Sequence, residues 1–384
     1  MTIATFMTPF VVYGLHASQS IGEYAAKFGK RPLIVTDANL NKIGLLDGIK
    51  KCLTEAGLNF VLYDGVVTEP TVEYVEAGLT LFKENRCDLL VSVGGGSCID
   101  TAKAISILAT NRGKLPDFEG MNKIQNPGTP HIAIPTTAGS GSEVSASDII
   151  TDASRNVKML IISPHVAAKV ALVDPLLTVQ MPQAVTASTG LDALTHAIEA
   201  YISVKAHPIT DAICLHAIQL ILENLLQAWS DGKNIEARTN MMIGALEAAM
   251  GFCNSSVALV HGMARPLGAH FHIPHGIGNA ALLATVMEFT LLGNPRKYAK
   301  IAEAMGENTE GLSLMDSAYL AVKSVKRLAD ALKIPSLRGL GISEEKFNTV
   351  VEQMAKDALV GGSSQFNPRK PTLEEIIELY HKAY

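Results

Sequence analysis

Paired cysteines are missing from this chain. It has five cysteines, Cys52, Cys87, Cys98, Cys214 and Cys253, an odd count with no Cys-x-x-Cys spacing. That argues against a disulfide framework and against a thiolate zinc site. Reduced thiols and a cytoplasmic setting are the expectation. A basic excess is missing too: 32 Lys and Arg face 37 Asp and Glu, for a net charge of −5. Without a basic stripe, nucleic acid is not an expected partner. No uninterrupted apolar run reaches the length of a bilayer span, so no membrane partner is expected. The opening stretch, MTIATFMTPFVVYG, is apolar but lacks a basic flank and carries Pro9. It reads as a first strand or arm rather than a signal peptide.

What is present fits a compact enzyme-sized protein. Hydrophobic residues make up 48% and charged residues 18% of 384 positions, a length that suggests more than one core. Short β-branched runs recur at PLIVTD (32–37), NFVLYD (59–64), DLLVSV (88–93), HIAIPT (131–136) and VALVD (170–174). They are nearly continuous apolar runs, as strands covered on both faces require. Helical stretches at 40–56 and 71–86 alternate with them, which predicts a parallel, doubly wound sheet. From Pro182 onward Ala, Leu, Met and Glu take over. Segments 184–203, 208–229, 234–252, 297–305, 313–332, 344–357 and 373–383 read as helices, with Gly and Pro between them. The expected organisation is an α/β Rossmann-like parallel-sheet domain over 1–181 and an all-α domain over 182–384.

Two loops after strands suggest a dinucleotide site. Strand 88–93 runs into Gly94, Gly95, Gly96 and Ser97, then Asp100 and Lys103. Glycines between a strand and a helix let backbone N–H groups approach a phosphate, and the helix N-terminus favours the anion. The loop is neither G-x-G-x-x-G nor a P-loop. Thr136, Thr137, Ala138, Gly139, Ser140, Gly141 and Ser142 follow strand 131–136 in the same way. Asp37 ends the first run. It either accepts hydrogen bonds from a ribose, favouring NAD over NADP, or caps the next turn.

A metal site is suggested by TGLDALTHAIEAY and HGMARPLGAHFHIPHG. Asp192 and His196 are spaced i, i+4, on one face of a helix one turn apart. His261, His270, His272 and His275 crowd into fifteen residues. On one straight helix His261 and His275 would be about 21 Å apart. Pro266, Gly268 and Pro274 predict a bend that lets them converge. His270 and His272 alternate with apolar residues and read as spectators. Carboxylate and imidazole donors suit Fe²⁺, Zn²⁺ or a similar first-row ion.

With GGGSCIDTAK (94–103), IPTTAGSGSEV (134–144) and the two stretches above, the chain resembles, end to end, the iron-containing (group III) alcohol dehydrogenases. These include lactaldehyde reductase and 1,3-propanediol dehydrogenase types. The resemblance implies metal ligands at Asp192, His196, His261 and His275. It implies NAD contacts at Asp37, Gly95, Gly96, Ser97, Asp100, Thr136, Thr137, Ser140 and Lys158, and a homodimer or larger homo-oligomer. Three positions depart from the family pattern: Arg265 replaces a His, Thr68-Glu69-Pro70 replaces Pro-Asn-Pro, and Tyr13-Gly14-Leu15-His16 replaces a small Gly-x-Gly turn.

The expected chemistry is hydride transfer between NAD and a short-chain primary alcohol, diol or aldehyde that the metal activates. Arg265 either forms a salt bridge or serves the substrate or proton path. Competing readings are a glycerol dehydrogenase-like polyol oxidoreductase and a dehydroquinate synthase-like lyase.

Overall fold

The computed structural model describes residues 4–155 and 157–384. In the first half, helices separate strands: β1 (Phe10–Tyr13), α1 (Ile21–Phe28), β2 (Pro32–Val35), α2 (Ala38–Lys42), α3 (Asp47–Glu55), β3 (Val61–Tyr63), α4 (Val72–Glu84), β4 (Leu89–Gly94) and α5 (Gly96–Thr110). Then come β5 (Gly120–Met121), β6 (His131–Pro135), β7 (Ser147–Asp152), β8 (Val157–Ile162) and β9 (Val170–Val173). Helices follow: α6 (Gln183–Ile202), α7 (Pro208–Ser230), α8 (Ile235–Asn254), α9 (Leu259–Phe271), α10 (His275–Thr290), α11 (Pro295–Ala304), α12 (Leu314–Ala331), α13 (Glu344–Val360) and α14 (Leu373–Ala383). This is the α/β-then-helical architecture that the residue patterns predict.

Two compact units result. One holds Met7–Thr137 and Gly141–Met181; the other holds Pro182–Tyr384 with Ala138–Ser140 and the start of the chain through Phe6. The short Ala138–Ser140 segment joins the helical unit because Gly139 lies against α6. A Cβ at Gly139 would stand 2.6 Å from the Cβ of Thr189.

In the α/β unit, six strands form one sheet in the order β1-β9-β6-β4-β2-β3, every pairing parallel. Leu33, Val35 and Leu90 face a core with Val75, Phe82 and Ile105 of α4 and α5. Ile34, Leu89, Val91 and Val93 face the other core, with Ile21, Ala25, Ile49 and Leu53 of α1 and α3. Burial on both faces explains why these strands are continuous apolar runs. The chain passes from β2 to β3 on one side and then returns to β4 on the other. Strand order therefore reverses between β2 and β4, the place where open α/β sheets take ligands.

Three local expectations differ from the structure. The stretch 40–56 is two helices, because Gly44 turns the chain with φ 76° between α2 and α3. The β7–β8 antiparallel pair has no counterpart in the predicted strands. β7 is broken by Asp148, Thr151 and Asp152, and the apolar part of β8 is only the four residues 159–162, between Lys158 and Ser163. In the helical unit, α9 and α10 are separate helices where only a bend is predicted.

Helices α7 and α10 are long and apolar enough to cross a membrane by length and composition. Hydropathy alone therefore does not separate them from bilayer spans. Within the unit α7 packs against α6 and α8, and α10 packs against α6, α9 and α12. Gly190 makes the α6–α7 approach close: a Cβ there would lie 2.3 Å from Leu225 Cδ1.

His131 of β6 is buried, with its Nε2 2.8 Å from Ser92 Oγ on the adjoining strand β4. Burial pushes its pKa down to about 3, and Lys103 adds to the effect. The unfolded chain then binds a proton that the folded chain refuses. Stability from this group is present above pH 6.5 and is lost as pH falls toward 3. Urea unfolding between pH 7 and pH 4 should show a stability slope from this group approaching about 1.4 kcal/mol per pH unit. His131→Gln should flatten it.

Candidate functional site

Helix α6 carries three polar side chains along one face of an otherwise apolar stretch: Asp192, His196 and Glu199. All three are buried. Their spacing, i, i+4 and i+7, stacks them on consecutive turns. His261 sits in the first turn of α9, and His275 is the first residue of α10. The chain between them does not bend at Pro266 or Gly268, which both lie inside α9. It turns at His272, whose φ of 55° ends α9 in the left-handed conformation, and restarts after Pro274. That reversal returns His275 to His261, with ring centroids 5.2 Å apart.

The four predicted ligands therefore meet. One donor atom from each of Asp192, His196, His261 and His275 lies within 4.8 Å of the others. The rings of His196 and His261 stack at 4.6 Å, and Phe252 stacks on the other neighbour of the set, 4.5 Å from His196. His270 and His272 do not join. His270 lies 3.7 Å from Asp357, and His272 is the exposed cap of α9.

Two further residues belong to this site, and neither stands out in the sequence reading. Asn279, one turn after His275, is fully buried. Its Nδ2 is 2.7 Å from Asp192 Oδ1 and 3.1 Å from both His261 Nε2 and His275 Nε2. Glu199 lies against the start of α9. Its carboxylate accepts from the backbone N–H of Ala258, Val260 and His261, and Oε2 is 2.7 Å from His261 Nδ1. Both had a signal available: each continues the helical spacing of a predicted ligand.

Electrostatics favour a bound cation. Burial alone would raise the Asp192 carboxyl, but the rings of His196, His275 and His261 outweigh it and hold it below its ordinary value. Burial, with His196 and His275 beside it, keeps His261 far below the usual imidazole range, so the ring is neutral. Burial pushes Glu199 up to about 7, against the pull of three backbone N–H groups. The hydrogen-bond count does not close. Three acceptors crowd the Asn279 amide nitrogen, which has only two hydrogens. His196 Nδ1 is buried without a hydrogen-bond partner among the described residues. A carboxylate and three imidazoles short of donors fit a first-row divalent metal.

Arg265 lies one turn beyond His261 on α9. Its Nη1 donates to the Gly361 carbonyl at 2.8 Å, and it makes no carboxylate ion pair among the described residues. Of the two readings offered for it, the salt bridge has no counterpart among the described residues.

The residues predicted for a dinucleotide lie as follows. Asp37 caps α2, its Oδ1 accepting from Asn39 N and Leu40 N at 2.8 and 3.0 Å. Gly94 ends β4 with φ 156°, and a Cβ there would stand 2.5 Å from Cys98 Sγ. Gly95 caps α5, with Gly96 and Ser97 in its first turn. Thr136 and Thr137 follow β6, and Thr136 N donates to Gly94 O at 3.0 Å. Thr137 borders Gly95, and Ser140 falls in the segment grouped with the helical unit. Asp100 is turned inward. It lies 3.5 Å from Lys103 Nζ and accepts from Ile149 N at 3.4 Å, which ties α5 to β7. Lys158 is ion-paired with Glu69, the acid in the departing Thr-Glu-Pro loop.

Comparison with known proteins matches both halves of the chain. Residues 8–175 match the model for iron-containing alcohol dehydrogenase, and residues 186–384 match the C-terminal model of the Fe-containing alcohol dehydrogenase family. The 1,3-propanediol dehydrogenase of Citrobacter freundii is 43% identical over 97% of this chain and 96% of its own. The NAD-dependent methanol dehydrogenase of Bacillus methanolicus is 39% identical over 98% of this chain and 99% of its own. A crystal structure of a 1,3-propanediol oxidoreductase superimposes with a TM-score of 0.97 at 41% identity, covering 100% of both chains.

Proposed function

This chain belongs to the iron-containing alcohol dehydrogenase family, and we propose that it interconverts short-chain primary alcohols or diols and their aldehydes using NAD(H) and a divalent metal. The observation that carries this reading is the convergence of Asp192, His196, His261 and His275 on one buried point. The names of two similar proteins, a 1,3-propanediol dehydrogenase and an NAD-dependent methanol dehydrogenase, support the substrate and cofactor classes.

The four residues would hold Fe²⁺, or Zn²⁺ by the same donor chemistry, which supplies Lewis-acid activation of the substrate oxygen. The residues set how strong that activation is. Asp192 is the only anionic member, and His261 is neutral, so a divalent charge is only partly cancelled. The surplus positive charge is aimed at the oxygen, where negative charge develops. Burial of Asp192, His196 and His261 excludes water from the ligand set and strengthens each contact.

The nicotinamide supplies the hydride chemistry. In our reading, Gly95, Gly96 and Ser97 present the amide end of α5 to the pyrophosphate. Thr136 and Thr137 line the same strand ends, and Ser140 lies on the following segment. Asp37, whose carboxylate caps α2, would serve the ribose in this reading. An acid there disfavours a 2′-phosphate and thus NADP. Lys158 reaches a phosphate only by sharing its charge with Glu69. Asp100 acts through the placement of α5.

Metal-stripped enzyme should regain NADH oxidation with short aldehydes when Fe²⁺ or Zn²⁺ returns, and His261→Ala should lose metal and turnover together. Full activity without metal would contradict this reading. Failure on every aldehyde with metal bound would favour the lyase.

Arg265 bears on which substrate is preferred. Its guanidinium spends one donor on Gly361 and keeps the others for a charged or strongly polar substrate group. Arg265→Ala should cut kcat/KM for carboxylate-bearing aldehydes roughly tenfold more than for neutral ones, the scale of one charged hydrogen bond. Equal losses would remove Arg265 from substrate selection.

A further inference from the structure

Glu199 is the one buried acid on α6 that the ligand set leaves over. It is 1% exposed, and both oxygens are engaged. Oε1 accepts from Val260 N at 2.5 Å, and Oε2 accepts from Ala258 N at 2.8 Å and His261 N at 3.4 Å. These amides open α9 and have no carbonyl partner within their own helix. The carboxylate therefore caps α9 from a different helix. The same Oε2 is 2.7 Å from His261 Nδ1.

We propose that Glu199 is a positioning residue of the metal centre, fixing both the tautomer and the ring orientation of His261. This rests on the metal reading given above. Both Glu199 oxygens already accept from backbone N–H groups, which holds the group as an acceptor, so the Nδ1 that faces it carries the ring's hydrogen. Nε2 is then the bare nitrogen, and Nε2 is the atom that lies 4.0 Å from Asp192 Oδ1 and 3.1 Å from Asn279 Nδ2. The wrong tautomer would put a hydrogen where a metal needs a lone pair. One group thus fixes the start of α9 and aims the ligand that this start presents. A carboxylate or carbonyl behind a ligating imidazole is the usual arrangement where ring orientation sets metal affinity.

Glu199→Gln tests this role, and the tautomer measured below separates it from loss of the α9 cap. The amide keeps the shape and its oxygen for Val260 N, while its NH₂ replaces the oxygen that accepts from Ala258 N and from His261 Nδ1. Its NH₂ facing His261 demands a bare Nδ1, which moves the ring hydrogen to Nε2. Zn²⁺ affinity of metal-stripped protein should be measured by chelator competition, with folding checked by circular dichroism. The dissociation constant for Zn²⁺ should rise roughly 10- to 100-fold in the variant. An unchanged constant in a folded variant would overturn the proposal.

A second measurement needs no Glu199 variant. In metal-stripped wild type labelled with ¹⁵N-histidine, His261 should show a protonated Nδ1 and a bare Nε2. The resonances are assigned by their loss in His261→Gln. A protonated Nε2 would overturn the proposal even if Glu199→Gln failed to fold. If wild type shows the expected tautomer but takes up no Zn²⁺, the metal reading fails, and with it the role assigned to Glu199.

Discussion

Asp192 Oδ1, His261 Nε2 and His275 Nε2 all lie within 3.1 Å of one amide nitrogen, that of Asn279. Two hydrogens cannot serve three acceptors at once, and two of the three, on Asp192 and His261, are buried. An unsatisfied buried polar atom costs about 1–3 kcal/mol, more when it is charged. The helical unit therefore concentrates lone pairs at a point where the protein offers too few donors. A divalent cation held by Asp192, His196, His261 and His275 would relieve that imbalance. Much of the unit's local design follows from delivering those lone pairs. Gly190 lets α6 sit close to α7, His272 reverses the chain between α9 and α10, and Glu199 ties α9 to α6.

The α/β unit solves a different problem. Its strands are buried on both faces, so their loops at the carboxyl ends are the places where polar groups meet solvent and ligand. The order reversal between β2 and β4 puts Asp37 and the Gly94–Gly96 turn at the ends of adjoining strands. Several polar residues near this end are already committed inside the protein. Asp100 joins α5 to β7, and Lys158 is paired with Glu69. In the function proposed above, a cofactor here would meet mainly backbone amides and small hydroxyl side chains, with Asp37 as the acid at the rim.

The sequence was most readable where one physical signal dominated. Continuous apolar runs marked β2, β4, β6 and β9, which are buried throughout, and β3, an edge strand that is half-buried at Val61 and Leu62. Helices α6 to α8 and α11 to α14 were legible from composition and from Gly and Pro between them, whereas α9 and α10 were not. The β7–β8 pair was illegible because each strand is half-buried, β7 is interrupted by acids and β8 opens on an exposed Val157 followed by Lys158. Helix α9 was obscured by Pro266 and Gly268, which lower helix propensity. Tertiary contacts override that preference: Met263, Ala264, Pro266 and Leu267 are all buried, and Tyr380 Oη donates to the Met263 carbonyl at 2.6 Å. In the site, the ligands were legible by spacing and by resemblance. Glu199 and Asn279 were not, because a supporting residue is defined by the atom it touches across two helices.

The central claim is that four side chains from three helices form one metal site. Anomalous diffraction from crystals of the iron-loaded protein, collected at the iron edge, tests it most directly. The account predicts a single strong peak about 2.0–2.2 Å from one atom each of Asp192, His196, His261 and His275, the usual metal–nitrogen and metal–oxygen range. A peak elsewhere in the molecule, or one that omits His261 or His275, would contradict it.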